Sequence, residues 1–522
     1  MNVLDKVINY ISPSWAYKRM HWRMGVRQAY DAGKISNTSA GWVPYNAKSE
    51  QMNEAERDFI RARARDRERN SDFMQALIKA YERNVIGAGF RVQAQIKDEK
   101  LGNEMEKIFS EWSQSRNCEV TGQLSFREIC KMIVRRRIID GGILIVKTYN
   151  GNKKYPFQIQ LREVDDLDTA VLTGNNGNMV INGVEVNRYQ KPVAYHLKVY
   201  SPDGWDTGKT ERIPAQRVLF LFDKKMPSQI REISETTSML TRTNDIDDYI
   251  HTLSLKEKIQ AAFTVFIKRQ LPTMIGNLGR NTSASQKRER YPITEIKPGM
   301  IFELQPGDDA TSIVPNGQAQ NAKEYISAIQ RMGASALGIG YENASRDMSN
   351  VNYSSARQNL LEDQKNFTDW QMWLIEHFLK EIYTEVIISA VLAGTLQVKD
   401  FWKKKTEYLA HRWIAPGWSW IDPQKEVNAN KIAIETGQDS VINICAKAGL
   451  DYKEVLEDQA KVLAYKKALE DKYGISFSSG STINTTPKQQ TNEEGENAAE
   501  SKSNGAESTA NQGNNTNTGS NK

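Results

Sequence analysis

The sequence predicts an α+β chain, mainly helical, with strands gathered in the first half and long helices in the second. Two observations carry that prediction. Between Pro156 and Phe222 the runs "PFQIQLREV", "MVINGVEVN", "PVAYHLKVY" and "QRVLFLF" alternate apolar and polar residues and are separated by Gly, Asn and Asp, as half-buried strands and their turns require. From Glu235 to Lys268 there is almost no Gly or Pro, and Leu240, Ile246, Ile250, Leu253 and Ile259 recur at roughly helical spacing.

In chain order, residues 1–50 read as an N-terminal arm, with Val3, Leu4, Val7, Ile8 and Ile11 on one helical face but no continuous apolar core and no small-residue cleavage site. Met52 to Arg83 is predicted helical through Phe59, Ile60, Phe73, Leu77, Ile78 and Tyr81, and "RNVIGAGFRVQAQ" then turns into a strand. A second helix covers Leu101 to Gln114. Ser125 can cap a third, which closes at Asp140-Gly141-Gly142 before a buried strand from Ile143 to Tyr149. After the long helix at 235–268 comes a strand-and-turn insert, Leu271 to Gly317, with the loose basic stretch "RNTSASQKRERYP". "NAKEYISAIQRMGASALGI" is a further helix, and an Asn- and Ser-rich loop separates it from a helix over Tyr353 to Ala393, stopped by Gly394. In that helix Leu360, Leu361, Phe367, Trp370, Trp373, Leu374, Phe378, Ile382 and Val386 form an apolar stripe long enough for core or subunit interface. A Trp-rich piece leads into a helical section at 422–477. From Ser478 to Lys522 almost nothing is apolar, so ordering entropy goes uncompensated and the tail is expected to be disordered.

Composition narrows the function. With 70 Lys+Arg against 64 Asp+Glu the formal charge is only +6, so any nucleic-acid contact must come from local patches. Cys118, Cys130 and Cys445 are odd in number and far apart, which fits a reducing compartment better than a disulfide framework. No stretch approaches the roughly 18 apolar residues of a spanning helix, so a soluble protein without a membrane partner is expected.

Motifs that could carry chemistry are weak. "PDGWDTGKT", Pro202 to Thr210, echoes a phosphate-binding loop but is one residue short and is followed by a strand, so a turn between strands fits better. The five histidines lie apart, and none has metal-ligand spacing, so no metal or other cofactor is expected. His196 in a strand and His377 in the apolar rows of a helix read as structural. Ser354 and Ser355 lack a nucleophile turn and a nearby His, and they read as caps of the helix that follows. Basic clusters stand at Arg61 to Arg69, Arg135 to Arg137 and Lys287 to Arg290. The first two fit a solvated helix face or ion pairs between subunits; the third, in a Ser- and Asn-rich loop, could meet phosphates or an acidic protein.

Five phrases, in order, resemble the lambda-type family of tailed-phage portal proteins: "RARARDRERNSDFMQALIKAYERNVIGAGFRVQAQ", "VDDLDTAVLTGNNGNMVINGVEVNRYQKPVAYHLKVY", "KPGMIFELQPGDD", "NVNYSSARQNLLEDQKNF" and "WIDPQKEVNANKIAIETGQDS". One departure is "MPSQIREIS", where the family tends toward Arg-x-Gly-Gln-x-Arg-Gly; Gln229 and Arg231 match, and the flanking positions do not. The resemblance implies a non-enzymatic ring, usually a dodecamer, at one capsid vertex, through which double-stranded DNA is packaged and ejected without sequence specificity.

On this chain the resemblance implies an α+β wing at 51–234, stem helices at 235–268 and 318–339, and a clip at 269–317. It further implies a tunnel loop at 340–352, a long wing helix and following segment at 353–421, and a crown at 422–477. The tunnel loop would offer Asn343, Ser345, Arg346, Ser349, Asn350 and Asn352 to DNA. The clip would offer Lys287, Arg288 and Arg290 to the terminase large subunit and later to head-completion or connector proteins. The major capsid protein and scaffold are further implied partners, the location being the virion and, during assembly, the host cytoplasm. Two other readings remain at this point: a hydrolase, built on "GWDTGKT" or on Ser354 or Ser355, and a DNA-binding scaffold that forms no ring.

Overall fold

The computed structural model describes residues 46–151, 154–262, 266–267, 302–303, 322–349, 351–418, 423–474, 476–477 and 483–484. The expected arm before residue 46, most of the 271–317 insert with Lys287, Arg288 and Arg290, Asn350 in the loop, and the tail apart from Ile483–Asn484 lie outside them. The chain divides after Asp451 into two units.

The first unit opens with α1 (Ser49–Asn70), whose buried face is polar: Arg57, Arg61, Ala64 and Glu68 turn inward. In the first basic cluster Arg61, Arg65 and Arg67 close ion pairs within the chain, which corrects the expectation for them, while Arg63 and Arg69 are exposed on the solvated face. Arg61 pairs with Glu232 at 3.0 Å and Asp165 at 2.7 Å, and Arg65 grips Asp140 through two nitrogens at 2.7 and 3.1 Å. The stretch "MPSQIREIS", Met226 to Ser234, which departs from the family pattern, is the receptor for α1. Glu50 accepts the amides of Ile230 and Arg231, both at 2.9 Å, while the buried Arg231 donates to the carbonyls of Asn182 and Val164. Burial alone would raise the Glu50 carboxyl, but Arg57 and those two amides outweigh it and hold it low.

The second basic cluster is likewise internal. Arg135 and Arg136 share Glu68, and Arg137 lies over the rings of Trp370 and Trp373.

α2 (Asp72–Tyr81) buries Phe73, Met74, Leu77, Ile78 and Tyr81 and runs directly into a π-turn, Glu82–Ile86. β1 (Arg91–Ala94) pairs antiparallel with a distant strand at His411–Ile414, and α3 (Glu99–Trp112) starts from Asp98, which accepts the amides of Lys100 and Leu101. α4 (Phe126–Asp140) begins with the expected Ser125 cap, closed by Glu128 into a capping box, and ends at Gly141 with φ 88°. Only glycine fits there, since a Cβ would stand 2.4 Å from the Ile233 carbonyl.

The predicted strands form two antiparallel sheets. β2 (Gly142–Tyr149) is the centre of the first, between β3 (Phe157–Arg162) and β8 (Val218–Phe222), so that Leu144 faces Arg162 on one side and Phe220 on the other. β4 (Met179–Ile181), β5 (Val184–Val186), β6 (Pro192–Tyr200) and β7 (Asp206–Pro214) form the second in meander order. The "GWDTGKT" stretch is the β6–β7 hairpin: Ser201 accepts the Gly204 amide, Gly204 has φ 83°, and Lys209 and Thr210 pair with Val199 and Lys198 in mid-strand. Phosphate-loop chemistry needs a helix N-terminus at that point, and a strand stands there instead.

Helix α5 spans Leu240–Ala262, shorter than the 235–268 expected. At its start the Ser234 hydroxyl donates to the Ile138 carbonyl and accepts the Thr236 amide, which spends these residues on a buried turn; at its far end Phe266–Ile267 is a strand, paired in parallel with Phe302–Glu303. α5 packs on α6 (Ala322–Ala336), with Tyr249 and Tyr325 rings 5.1 Å apart. Next come α7 (Tyr341–Ser345) and α8 (Tyr353–Leu374), which passes through a second π-turn, Ile375–Leu379, into α9 (Lys380–Leu392).

The π-turn explains the apolar stripe. Phe367, Trp370, Leu374, Phe378, Ile382 and Val386 are all buried although most are four residues apart. In an uninterrupted α-helix each such step drifts about 40° around the axis, and one wide turn cancels the accumulated drift. Leu361, by contrast, is exposed, and so is His377, outside the stripe rather than within it. β9 (His411–Ile414) pairs with β1, and α10 (Pro423–Glu435) and α11 (Val441–Lys447) complete the unit.

The second unit contains α12 (Tyr452–Tyr473) and a small antiparallel pair, Ser476–Phe477 with Ile483–Asn484. Among the described residues no helix is long and apolar enough to cross a membrane.

Candidate nucleic-acid interface

The loop between α6 and α8 is built from two restraints. Gly338, with φ 77°, ends the α6 region, and the Leu337 carbonyl just before it accepts hydrogen bonds from the hydroxyl of Tyr81 and, at 3.3 Å, from Asn366. Asp363, buried in α8, accepts the Gly340 amide at 2.7 Å and the Asn343 side chain at 3.1 Å. Burial raises the Asp363 carboxyl, and nearby Glu342 adds to this, against the hydrogen bonds from Gly340 and Asn343.

Asn343, half-buried, thus helps hold the loop to α8. Ser345 is exposed but its hydroxyl donates to the Tyr341 carbonyl and accepts the Asp347 amide; Ser349 is exposed and bonds to Asp347. The short polar side chains thus fold the loop on itself. Arg346 differs. It takes the left-handed conformation, φ 59°, as the cap of α7, its amide bonded to the Glu342 carbonyl at 2.8 Å, and its side chain is exposed.

The far end of the loop is Asn352. Its carboxamide accepts the Ser355 amide at 2.9 Å and the Ser355 hydroxyl at 2.6 Å, so Asn352 is the cap of α8 and Ser354 and Ser355 are its first turn. Neither serine caps the helix itself, and neither has a His beside it among these contacts. Between the loop and α8 lies a cleft of about 230 Å³, open to solvent, lined by Arg346, Met348, Tyr353, Arg357 and Leu360 among others. Met348 and Tyr353 are more than half exposed, and Arg331 of α6 stands 5.2 Å from the Tyr341 ring.

The family model for phage portal proteins of the lambda family matches residues 36–371, which includes α6, the whole loop and all but the last three residues of α8. The chain belongs to the lambda family of phage portal proteins.

As a family member it is a portal protein and a component of the virion. It is 25% identical to the probable portal protein of Halomonas phage phiHAP-1, over 84% of this chain and 86% of that one. It is 22% identical to portal protein B of Escherichia phage lambda, over 78% and 84% of the two chains, and 20% identical to the portal protein of Escherichia phage N15, over 84% and 89%. Among solved structures, a chain from the neck of an empty gene transfer agent particle, computed with C6 symmetry, overlaps at TM-score 0.38 and 14% identity, covering 81% of this portal chain and 99% of that one. A chain from the native gene transfer agent virion overlaps at TM-score 0.35 and 12% identity, over 78% and 96%.

Sequence reading passed over Asp363, which shapes this portal loop, and Arg83, which feels the charge of Arg346 in it. Asp363 carries a readable signal, because it sits four residues before Phe367 on the buried face of an otherwise apolar stripe. Arg83, in the first π-turn, carries none: "YERNVI" gives no hint of a π-turn or of what lies across from it.

Proposed function

We propose that this portal chain assembles head to tail into a closed ring, a dodecamer, with the 340–352 loop facing a central channel for double-stranded DNA. In this reading residues 51–234 and the long helix from 353 form the wing, α5 and α6 the stem, 269–317 the clip and 422–477 the crown. What carries the reading is the family match across residues 36–371, which takes in both stem helices, the segment between them and the 340–352 loop that follows. The loop suits a channel because Asn343, Ser345 and Ser349 are already engaged within the chain, so that, apart from Arg346, passing phosphates meet few strong ligands and sliding is not stalled.

The clip, with Lys287, Arg288 and Arg290, docks the terminase large subunit and later the head-completion proteins. The wing meets the major capsid protein and scaffold, and assembly takes place in the host cytoplasm. The protein acts by assembly and movement and performs no covalent chemistry. Negative-stain imaging with mass measurement tests the ring: particles with a central hole at about twelve times the 59.3 kDa chain, roughly 0.7 MDa, are expected, and a stable monomer at high concentration defeats the proposal. Lys287→Glu with Arg288→Glu and Arg290→Glu is expected to leave rings intact and weaken motor docking; unchanged packaging defeats the clip assignment.

A further inference from the structure

Arg83 and Arg346 belong to two elements that are locked together. Tyr81, just before the first π-turn, bonds through its hydroxyl to the Leu337 carbonyl and receives Asn366 at 2.9 Å, while the carbonyl of Val85 within the turn accepts Gln371 at 3.1 Å. The turn carrying Arg83 is thereby fixed against α8 and against the start of the loop. On the loop side, Asp363 holds Gly340 and Asn343, and α7 packs on α2, so the α7 cap, Arg346, is held on the same side as Arg83.

Two features set this pair apart from the arginines that tie the fold together. Arg57, Arg61, Arg65, Arg135 and Arg136 each close an ion pair within the chain, whereas neither Arg83 nor Arg346 has an ion-pair or side-chain hydrogen-bond partner among the described residues. Both are exposed. Partial burial lowers the Arg83 guanidinium, and the positive charge of Arg346 lowers it further, with no carboxylate acting in the opposite direction. Arg346 is also held in the left-handed region that a non-glycine residue adopts only at a conformational cost. Two like charges on a rigid base, neither closing an ion pair among the described residues although Glu342 and Asp363 line the same cleft as Arg346, are arranged for an anion brought from outside; two guanidiniums suit the several acceptor oxygens of a phosphate.

We propose that Arg83 and Arg346 together form a binding site for one phosphate group at the mouth of the loop. The identification of its source with the DNA backbone rests on the channel reading above; the site itself does not. In the assembled full-length protein, Arg83 adds to each loop a cation from a different element and makes the phosphate contact a two-point one.

The test has two arms. Inorganic phosphate is titrated against the assembled full-length protein at constant ionic strength by ³¹P NMR, with Arg83→Gln, Arg346→Gln and the corresponding Lys variants in parallel. Each Gln variant is expected to weaken one site per chain by about tenfold or more, with partial recovery in the Lys variants. Wild-type phosphate binding in Arg83→Gln overturns the shared site. In the second arm, duplex DNA binding is followed against salt concentration. A shallower dependence in the Arg83→Gln/Arg346→Gln double variant identifies the phosphate with the DNA backbone. Loss of inorganic phosphate binding with an unchanged DNA salt dependence upholds the site and overturns the channel-facing placement of the loop, so the two failures are distinguishable.

Discussion

The buried carboxylate of Asp363 receives the backbone amide of Gly340 at 2.7 Å, which ties the beginning of the loop to the middle of the helix that follows it. Asp363→Ala frees this amide and the Asn343 side chain together, at a cost of about 1–3 kcal/mol to local stability. Faster hydrogen exchange at residues 340–345, with ring formation retained, is the expected result. Because burial raises the Asp363 carboxyl, the sign of its pH effect is fixed: its contribution to stability is fullest in acid and declines as pH rises through the raised value. Asp363→Asn should remove that dependence from the thermal unfolding curve.

The opposite sign belongs to Glu185, whose carboxylate is fully buried in the second sheet. The Arg212 guanidinium, bonded to it at 2.7 and 3.1 Å, holds its pKa at about 2, with help from Asn178 and His196 and against the cost of burial. A depressed carboxyl stabilises the fold above its unfolded value and is lost as pH falls, here between 4.5 and about 2. Acid unfolding should steepen across that window in the wild-type protein and flatten in Glu185→Gln, read by circular dichroism.

Arg137 joins α4 to the long helix by lying 3.8 Å from the centroid of Trp370 and 4.1 Å from that of Trp373. Its Asp223 and Glu235 partners are distant, at 3.6 and 3.7 Å, so ring contact is the larger part of its attachment. Arg137→Ala should cost about 2–4 kcal/mol and shift tryptophan emission, while Arg137→Lys, a point charge without a planar face, should recover less than half.

At Gly141 the combination of φ 88° and an Ile233 carbonyl where a Cβ would stand leaves no room for relaxation. Gly141→Ala should fall short of the wild-type soluble yield and lower the melting temperature by several degrees, since a displaced backbone costs about 3 kcal/mol or more. Gly204→Ala, with nothing near its Cβ position, should show only the smaller effect of its backbone angle.

Helix and strand positions were legible wherever apolar periodicity or turn chemistry dictated them. Ser125 and Gly141 bracket α4 as the sequence indicates, and the β6–β7 turn forms where Gly204 allows it. The arginines were misjudged because a charged residue on a predicted helix is ordinarily solvated. Arg61 is buried only because Glu232, 171 residues away in sequence, lies opposite it, and no local pattern encodes such a partner. Within the segment read as a loop, Tyr341–Ser345 is a short helix, and the chain gives no sign that Asn343 is claimed by Asp363 or that Asn352, rather than either serine, caps α8.

The wide turn at Ile375–Leu379 also has a consequence for how chains of this kind change length. Removing one residue there would convert it to an ordinary turn and leave Phe378, Ile382 and Val386 on the face of Phe367 and Trp370, because the extra residue of the wide turn is what offsets about 100° of rotation. The long helix therefore tolerates the loss of one residue at this turn, whereas a gain or loss elsewhere along its buried span would rotate part of the apolar face away from the core.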